Sequence, residues 1–152
     1  KLYTFPTPNE LFDNSNETLL REIGMGYRAK YLYESCRLII SKGGVDWLYS
    51  LRSLPYSEIH QLLQTLPGIG AKVADCIALF SLNQSHVIPV DTHMLTITRR
   101  DYPTPFLQQQ SFKTLTNKVY REIQEIFHSK FGEYAGWAHS LLFTGELTDF
   151  KH

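Results

Sequence analysis

The chain has 152 residues, 43% hydrophobic and 13% aromatic, enough to bury the core of one ordinary domain without disulfides or a structural metal. Lys plus Arg and Asp plus Glu each number 15, so no net field draws the molecule to nucleic acid, membrane or acidic substrates, and any such role must come from a local site. The longest apolar run, Val73 to Phe80, is broken by Asp75 and is far too short for a membrane span, so the chain reads as soluble. Cys36 and Cys76 are too few for a disulfide framework or a four-cysteine zinc or iron-sulfur site, and they point to a reducing compartment. Lys1 opens the chain with no initiator methionine and no signal-peptide pattern, as in a fragment or a processed form.

Apolar residues recur at helical spacing and no long alternating Val/Ile/Thr run occurs, so the expected class is all-α, one helical domain over 1–152. Phe5-Pro6-Thr7-Pro8 reads as a loop-like opening. A short helix around Asn16 to Ile23 carries Leu19, Leu20 and Ile23 and stops at Gly24 and Gly26. The next places Leu32, Cys36, Ile39 and Ile40 on one stripe before Gly43-Gly44. A shorter segment with Trp47, Leu48 and Leu51 ends near Pro55. Ile59, Leu62, Leu63 and Leu66 mark a helix from Tyr56 that Pro67-Gly68-Ile69-Gly70 must end, and another starts at Ala71. Two helices so joined make a helix-hairpin-helix over 56–82. Asp91-Thr92 is placed to cap a helix after Pro89, and Tyr102 to Ser111, with two prolines and three glutamines, reads as a loop. Of two late helices, the first turns Leu115, Val119, Ile123, Ile126 and Phe127 inward and the second Tyr134, Trp137, Ala138, Leu141 and Leu142.

Several residues carry a chemical and a plain reading side by side. The backbone of Leu66-Pro-Gly-Ile-Gly70, including Gly68 and Gly70, can offer amides and a helix dipole to a phosphate, or it is an ordinary tight turn. Lys72 sits in the first turn of a helix, where the dipole disfavours added positive charge and so favours a nucleophilic amine; otherwise it is a solvated lysine. Cys76, one turn on, lines a pocket or is a small buried hydrophobe. Asp91 is a carboxylate held by helix-capping amides and suited to a developing cation, or a structural cap. His93 is a phosphate contact or a surface histidine. Phe143 projects about 140° from Ala138 on the face of His139 and Glu146, so it stacks on a base or packs on a neighbouring element.

Leu66-Pro-Gly-Ile-Gly-Ala-Lys72-Val-Ala-Asp-Cys76 followed by Val87-Ile-Pro-Val-Asp91-Thr-His93-Met resembles the signature of the HhH-GPD DNA glycosylases, including the lysine-to-aspartate spacing. Leu20-Arg21, Gly24-Met-Gly-Tyr27-Arg28-Ala-Lys-Tyr31, Arg99-Arg-Asp-Tyr102 and Tyr134-Ala-Gly-Trp137-Ala-His-Ser-Leu-Leu-Phe143 extend the resemblance to the 8-oxoguanine DNA glycosylases of the eukaryotic type. It covers nearly the whole chain and implies the C-terminal half of a longer protein, whose N-terminal part would be a partner if supplied as a separate chain.

The resemblance implies excision of 8-oxoguanine opposite cytosine in double-stranded DNA, with AP lyase activity, and a nuclear location with a mitochondrial one beside it. Lys72 would be the catalytic lysine and Asp91 its acidic partner. Cys76 and Phe143 would sandwich the flipped base, with Phe80 lining the same pocket. Arg21 and Arg28 would read the orphaned cytosine, Tyr27 would be the wedge, and His93, Gly68 and Gly70 would meet phosphates. No cofactor is needed for the chemistry, although carbonyls of Gln64, Leu66 and Ile69 would hold a structural cation. Position 139, commonly Gln in the family, is His here, which leaves a related glycosylase with altered lesion preference as one alternative. It also makes recognition pH-dependent around the ordinary histidine pKa. A helix-hairpin-helix module that only binds DNA is the alternative from another class. Cluster-bearing relatives need four cysteines near the C-terminus, and none follows Cys76.

Overall fold

A computed structural model describes residues 2–109 and 115–146, and every regular element among them is helical. The helices are α1 (Pro8–Asn14), α2 (Glu17–Leu20), α3 (Arg28–Ser41), α4 (Gly44–Ser50), α5 (Tyr56–Gln64), α6 (Ala71–Ser81), α7 (Thr92–Asp101), α8 (Pro105–Gln109), α9 (Asn117–Phe131) and α10 (Ala135–Glu146). A π-helical turn follows α2 at Arg21–Met25, and 3₁₀ turns occupy Leu51–Ser53 and Gly132–Tyr134. The all-α expectation holds. None of these helices is long and apolar enough to cross a membrane. The chain packs as two compact units, Lys1–Gly70 and Ala71–His152.

In the first unit, α1 was not foreseen. Pro8 follows the N-cap, where its missing N–H costs nothing, and Thr7 and Glu10 close a reciprocal capping box: Thr7 N–H donates to Glu10 Oε2 at 2.8 Å and Glu10 N–H to Thr7 Oγ1 at 3.2 Å. The helix is pinned by Phe12 stacked on Tyr33 of α3, centroids 4.9 Å apart. Asn16 caps α2 by accepting the Leu19 N–H at 2.9 Å, and the predicted stop near Gly24 is observed, with φ at +93°. In α3, Ala29 and Cys36 are buried while Leu32, Ile39 and Ile40 are half-buried. Leu51, Leu66 and, on α5, Ile59 and Leu63 are also buried.

The second unit is built on Ile88, Val90, Met94, Leu95, Ile97, Leu107, Val119, Ile123, Phe127 and Ala135. Val119, Ile123 and Phe127 recur along α9 at helical spacing and are fully buried, as predicted, with Leu115 and Ile126 half-buried. Two expectations fail here. The stretch read as a loop contains α8, because Thr104 accepts the Leu107 N–H at 3.3 Å, Pro105 opens the helix and Leu107 has a core to enter; residues 110 and 111 lie outside the described residues.

The inward face of α10 is also not the one predicted. Ala135, Gly136 and His139 are buried, whereas Tyr134, Trp137 and Leu141 are 72%, 63% and 75% exposed. Ala138 and Leu142 are half-buried, Leu142 against the core. Gly136 causes the rotation. Its N–H donates to the Ser85 carbonyl at 2.9 Å, and a Cβ there would lie 2.6 Å from the carbonyl oxygens of Ser85 and Val87 and 2.4 Å from Leu79 Cδ1. Only a residue without a side chain permits that approach, and it fixes which stripe turns inward.

Candidate active site

The site in the second unit is built on the start of α6, the start of α7 and the middle of α10. Val87, Ile88, Pro89 and Val90 are all buried and deliver Asp91 to the N-cap of α7, where its Oδ1 accepts the Met94 N–H at 3.0 Å. The cap engages one carboxylate oxygen and leaves the other to face Lys72 of α6, whose Nζ lies 3.5 Å from Asp91 Oδ2. Lys72 is 49% exposed and Asp91 20%. Ion pairs this open contribute roughly 0–1 kcal/mol, so stability alone gives little reason for the pairing. The two residues singled out from sequence do meet, and Asp91 serves as both cap and ion-pair partner.

Cys76 is half-buried one turn beyond Lys72. Burial pushes its thiol above the ordinary range, Lys72 opposes the shift, and Asp75 and Asp91 reinforce it. The thiol therefore stays protonated at neutral pH and presents a soft, uncharged surface. Phe143 is flanked by two imidazoles: His139 stacks on it at 5.9 Å, 19° from parallel, and His93 meets it edge-on at 5.8 Å. His93 is exposed. His139 is 7% exposed and its Nδ1 has no hydrogen-bond partner among the described residues. Burial pushes its pKa down; Asp91 and a hydrogen bond with the Pro89 backbone oppose this, and Lys72 adds to it. Phe80, 65% exposed, lines a different cavity, of about 360 Å³, with Leu79, Asn83, Ser85, Trp137 and Ser140. Lys72, Cys76, Asp91, His139 and Phe143 take no part in that wall.

In the first unit, Arg21, Tyr27 and Arg28 are all exposed, Tyr27 to 72%. Tyr27 packs edge-on against Tyr31 at 6.1 Å, and Arg21 holds Glu17 through Nε and Nη2 at 2.9 and 2.8 Å. The turn after α5 needs glycine at 68: φ is +77°, and a Cβ would sit 2.5 Å from the Tyr31 ring. Gly70 has open space around it. The Leu66 carbonyl accepts the Ile69 N–H at 3.2 Å and keeps a second lone pair, and Gln64 ends α5, where carbonyls gather partial negative charge.

Residues 1–122 match the model of the HhH-GPD superfamily base excision DNA repair proteins. The chain belongs to this superfamily. It is 46% identical over 149 residues to the N-glycosylase/DNA lyase OGG1 of Arabidopsis thaliana, covering 97% of this chain and 40% of that protein. It is 33% identical over 165 residues to the N-glycosylase/DNA lyase of Saccharomyces cerevisiae, covering 95% and 44%. Among solved structures, MBOgg1 in complex with a low-affinity DNA ligand superposes with a TM-score of 0.75 at 30% identity, covering 93% of this chain and 44% of that one. The Clostridium acetobutylicum 8-oxoguanine glycosylase/lyase, in complex with double-stranded DNA containing cytosine opposite 8-oxoG, superposes at 0.72 with 31% identity over 93% and 44%. The chain thus spans less than half the length of the relatives it matches.

In this HhH-GPD chain the sequence reading missed Asp75, Tyr120 and Gln124. Asp75 is fully buried and accepts from the Tyr120 hydroxyl and from Gln124 Nε2, the latter at 3.4 Å. The signal was present: an aspartate inside an apolar helical run is retained only where donors meet it. Periodicity alone weighs it only as an interruption of the run.

Proposed function

We propose that the chain carries the catalytic residues of a base-excision glycosylase that removes 8-oxoguanine opposite cytosine from double-stranded DNA and cleaves the resulting abasic site. The observation that carries this reading is the Lys72–Asp91 pair, Nζ to Oδ2 3.5 Å, within a chain 46% identical to a relative named N-glycosylase/DNA lyase. The damaged nucleotide is extruded from the stack. Once its ammonium proton has passed to solvent, the Lys72 amine attacks C1′ as the glycosidic bond breaks; the base leaves with the bonding pair and takes a proton from water, and the Asp91 carboxylate faces the positive charge that develops on the sugar. Loss of a proton from the lysine adduct opens the sugar to an imine, and removal of a C2′ proton expels the 3′ phosphate by β-elimination.

Phe143 and the protonated Cys76 offer an aromatic and a polarisable surface to the base, and His139 reads its edge. Arg21 and Arg28 take the unpaired cytosine, Tyr27 fills the stack, and His93, Gly68 and Gly70 meet phosphates. The second lone pair on Leu66 and the carbonyl-rich end of α5 fit a cation held by Gln64, Leu66 and Ile69, which would add positive charge beside a phosphate. The chemistry needs no cofactor, because nucleophile and carboxylate are both side chains of this chain. A nuclear location, with a mitochondrial one, belongs to the same reading.

The test is borohydride reduction of the protein in its full-length context, mixed with a duplex carrying 8-oxoguanine opposite cytosine. The expected result is a covalent adduct at Lys72 that Lys72→Gln abolishes. An equal yield from the variant overturns the assignment.

The burial and unpartnered Nδ1 of His139 favour a second reading, a glycosylase of the same chemistry with a different lesion preference. Comparing excision of 8-oxoguanine with that of other oxidised and alkylated purines decides between the two.

A further inference from the structure

The chemistry above does not use Asp75, a side chain with 0% exposure one turn beyond Lys72 on α6. Such burial rules out contact with substrate. Its Oδ2 accepts from the Tyr120 hydroxyl and from Gln124 Nε2 at 3.4 Å, both on α9. The Tyr120 oxygen accepts in turn the Val90 N–H at 3.3 Å, and Gln124 Nε2 also reaches the Ile88 carbonyl at 3.5 Å. A phenol has one proton, and the Val90 donor already faces the oxygen, so the phenolic proton points to Asp75. Donor and acceptor roles run in one direction, from Val90 N–H through Tyr120 to the Asp75 carboxylate.

This chain of bonds has a specific destination. Val90 immediately precedes Asp91, and Asp75 shares the first two turns of α6 with Lys72. Both members of the 3.5 Å pair are therefore referenced to one buried carboxylate, Lys72 through its own helix and Asp91 through the 88–90 backbone. Apolar packing of Val87, Ile88 and Val90 excludes water but has no direction; hydrogen bonds fix distance and angle. We propose that Asp75 is a positioning residue that, through Tyr120, sets the Val90–Asp91 backbone against Lys72. Its catalytic consequence rests on the functional reading above, while its structural core does not.

Tyr120→Phe tests this, because it removes one oxygen and keeps the ring in the core. Amide hydrogen exchange at Val90, and at Met94, which Asp91 caps, is expected to accelerate about fivefold, the factor one hydrogen bond of ordinary net strength supports, with α9 and α6 amides unchanged. Adduct formation in the borohydride assay is expected to slow about tenfold, a fraction of the hundredfold that an ångström of misplacement can cost, with DNA affinity unchanged. In an Asp91→Asn background the same substitution is expected to slow the reaction less than twofold. Asp75→Asn, which keeps an oxygen to accept from Tyr120, is expected to recover most of the rate lost in Asp75→Ala. Unchanged exchange at Val90 and Met94, acceleration spread through the whole unit, or equal slowing in both backgrounds overturns the proposal. If the unmodified protein forms no adduct, the functional reading fails, and the exchange measurement still decides the positioning role.

Discussion

The ring of His139 stacks on that of Phe143, 5.9 Å between centroids and 19° from parallel. The sequence alone suggests an imidazole open to a base and titrating around its ordinary value. Burial instead pushes the His139 pKa below the ordinary 6.5. The neutral ring is then the form present at pH 7, and any pH dependence of base recognition moves below that value.

A base whose folded-state pKa is depressed takes up its proton more readily in the unfolded chain, so stability rises with pH up to the unfolded value and is flat above it. The thermal midpoint is therefore expected to fall as pH drops from about 6.5 toward 5, the unfolded histidine value setting the top of the window. His139→Gln is expected to flatten part of that fall, and His128, which partial desolvation and His86 shift the same way, contributes to what remains. A slope identical in both proteins, measured by calorimetry, contradicts this. Selectivity between 8-oxoguanine and guanine is expected to be constant from about pH 7 upward.

Asp91 holds the Met94 N–H and faces Lys72 with different oxygens, so its two roles separate by substitution. Asp91→Asn keeps an acceptor for the cap and loses the charge: stability is expected to stay within a few tenths of a kcal/mol, because Asn caps about as well as Asp. The single-turnover rate is expected to fall about a hundredfold or more. Asp91→Ala loses both and is expected to cost about 1 kcal/mol in addition. Denaturant titration alongside single-turnover kinetics reads the two effects, and a fully active Asp91→Asn would leave the residue as a cap alone.

Lys72 is half exposed and its ion pair contributes little to the fold. Lys72→Gln is expected to abolish the trapped adduct while changing stability by less than about 1 kcal/mol. A large loss of stability on this substitution would mean that the lysine is a structural residue.

Two glycines on α10 have opposite expectations. Gly136→Ala places a methyl group against the carbonyl oxygens of Ser85 and Val87, which are backbone and cannot swing away, and is expected to cost about 1–3 kcal/mol or more. Gly145 has nothing within 4 Å of an added Cβ; Gly145→Ala is expected to be neutral or stabilising by up to about 1 kcal/mol through helix propensity. Thermal midpoints of the two variants check this, and equal shifts would refute the close approach at Gly136.

The elements read correctly from sequence are those whose cause is local. Asp91 caps α7 because a short acceptor stands before a helical run, and the α9 stripe is legible because Val119, Ile123 and Phe127 repeat at helical spacing. The Thr7 and Glu10 capping box was equally local and was obscured by the prolines around it. What stayed illegible depends on partners far along the chain. The rotation of α10 follows from Gly136 meeting residues 85 and 87, while periodicity weighs large apolar side chains and so favoured Trp137 and Leu141. Asp75 acquires its role only when α9 brings Tyr120 and Gln124 to it, 45 and 49 positions later.

The chain has two tryptophans, and they fall one to each compact unit. Trp47, half-buried, lies under the Lys42 ammonium at 5.3 Å in the first, and Trp137 stands 63% exposed in the second. Each unit therefore holds its own optical reporter, and the hydrated Trp137 is expected to emit to the red of the half-buried Trp47. Replacing either with phenylalanine turns intrinsic fluorescence into a record of one unit alone, so the melting of the half that bears Arg21 and Arg28 can be followed separately from that of the half that bears Lys72 and Asp91.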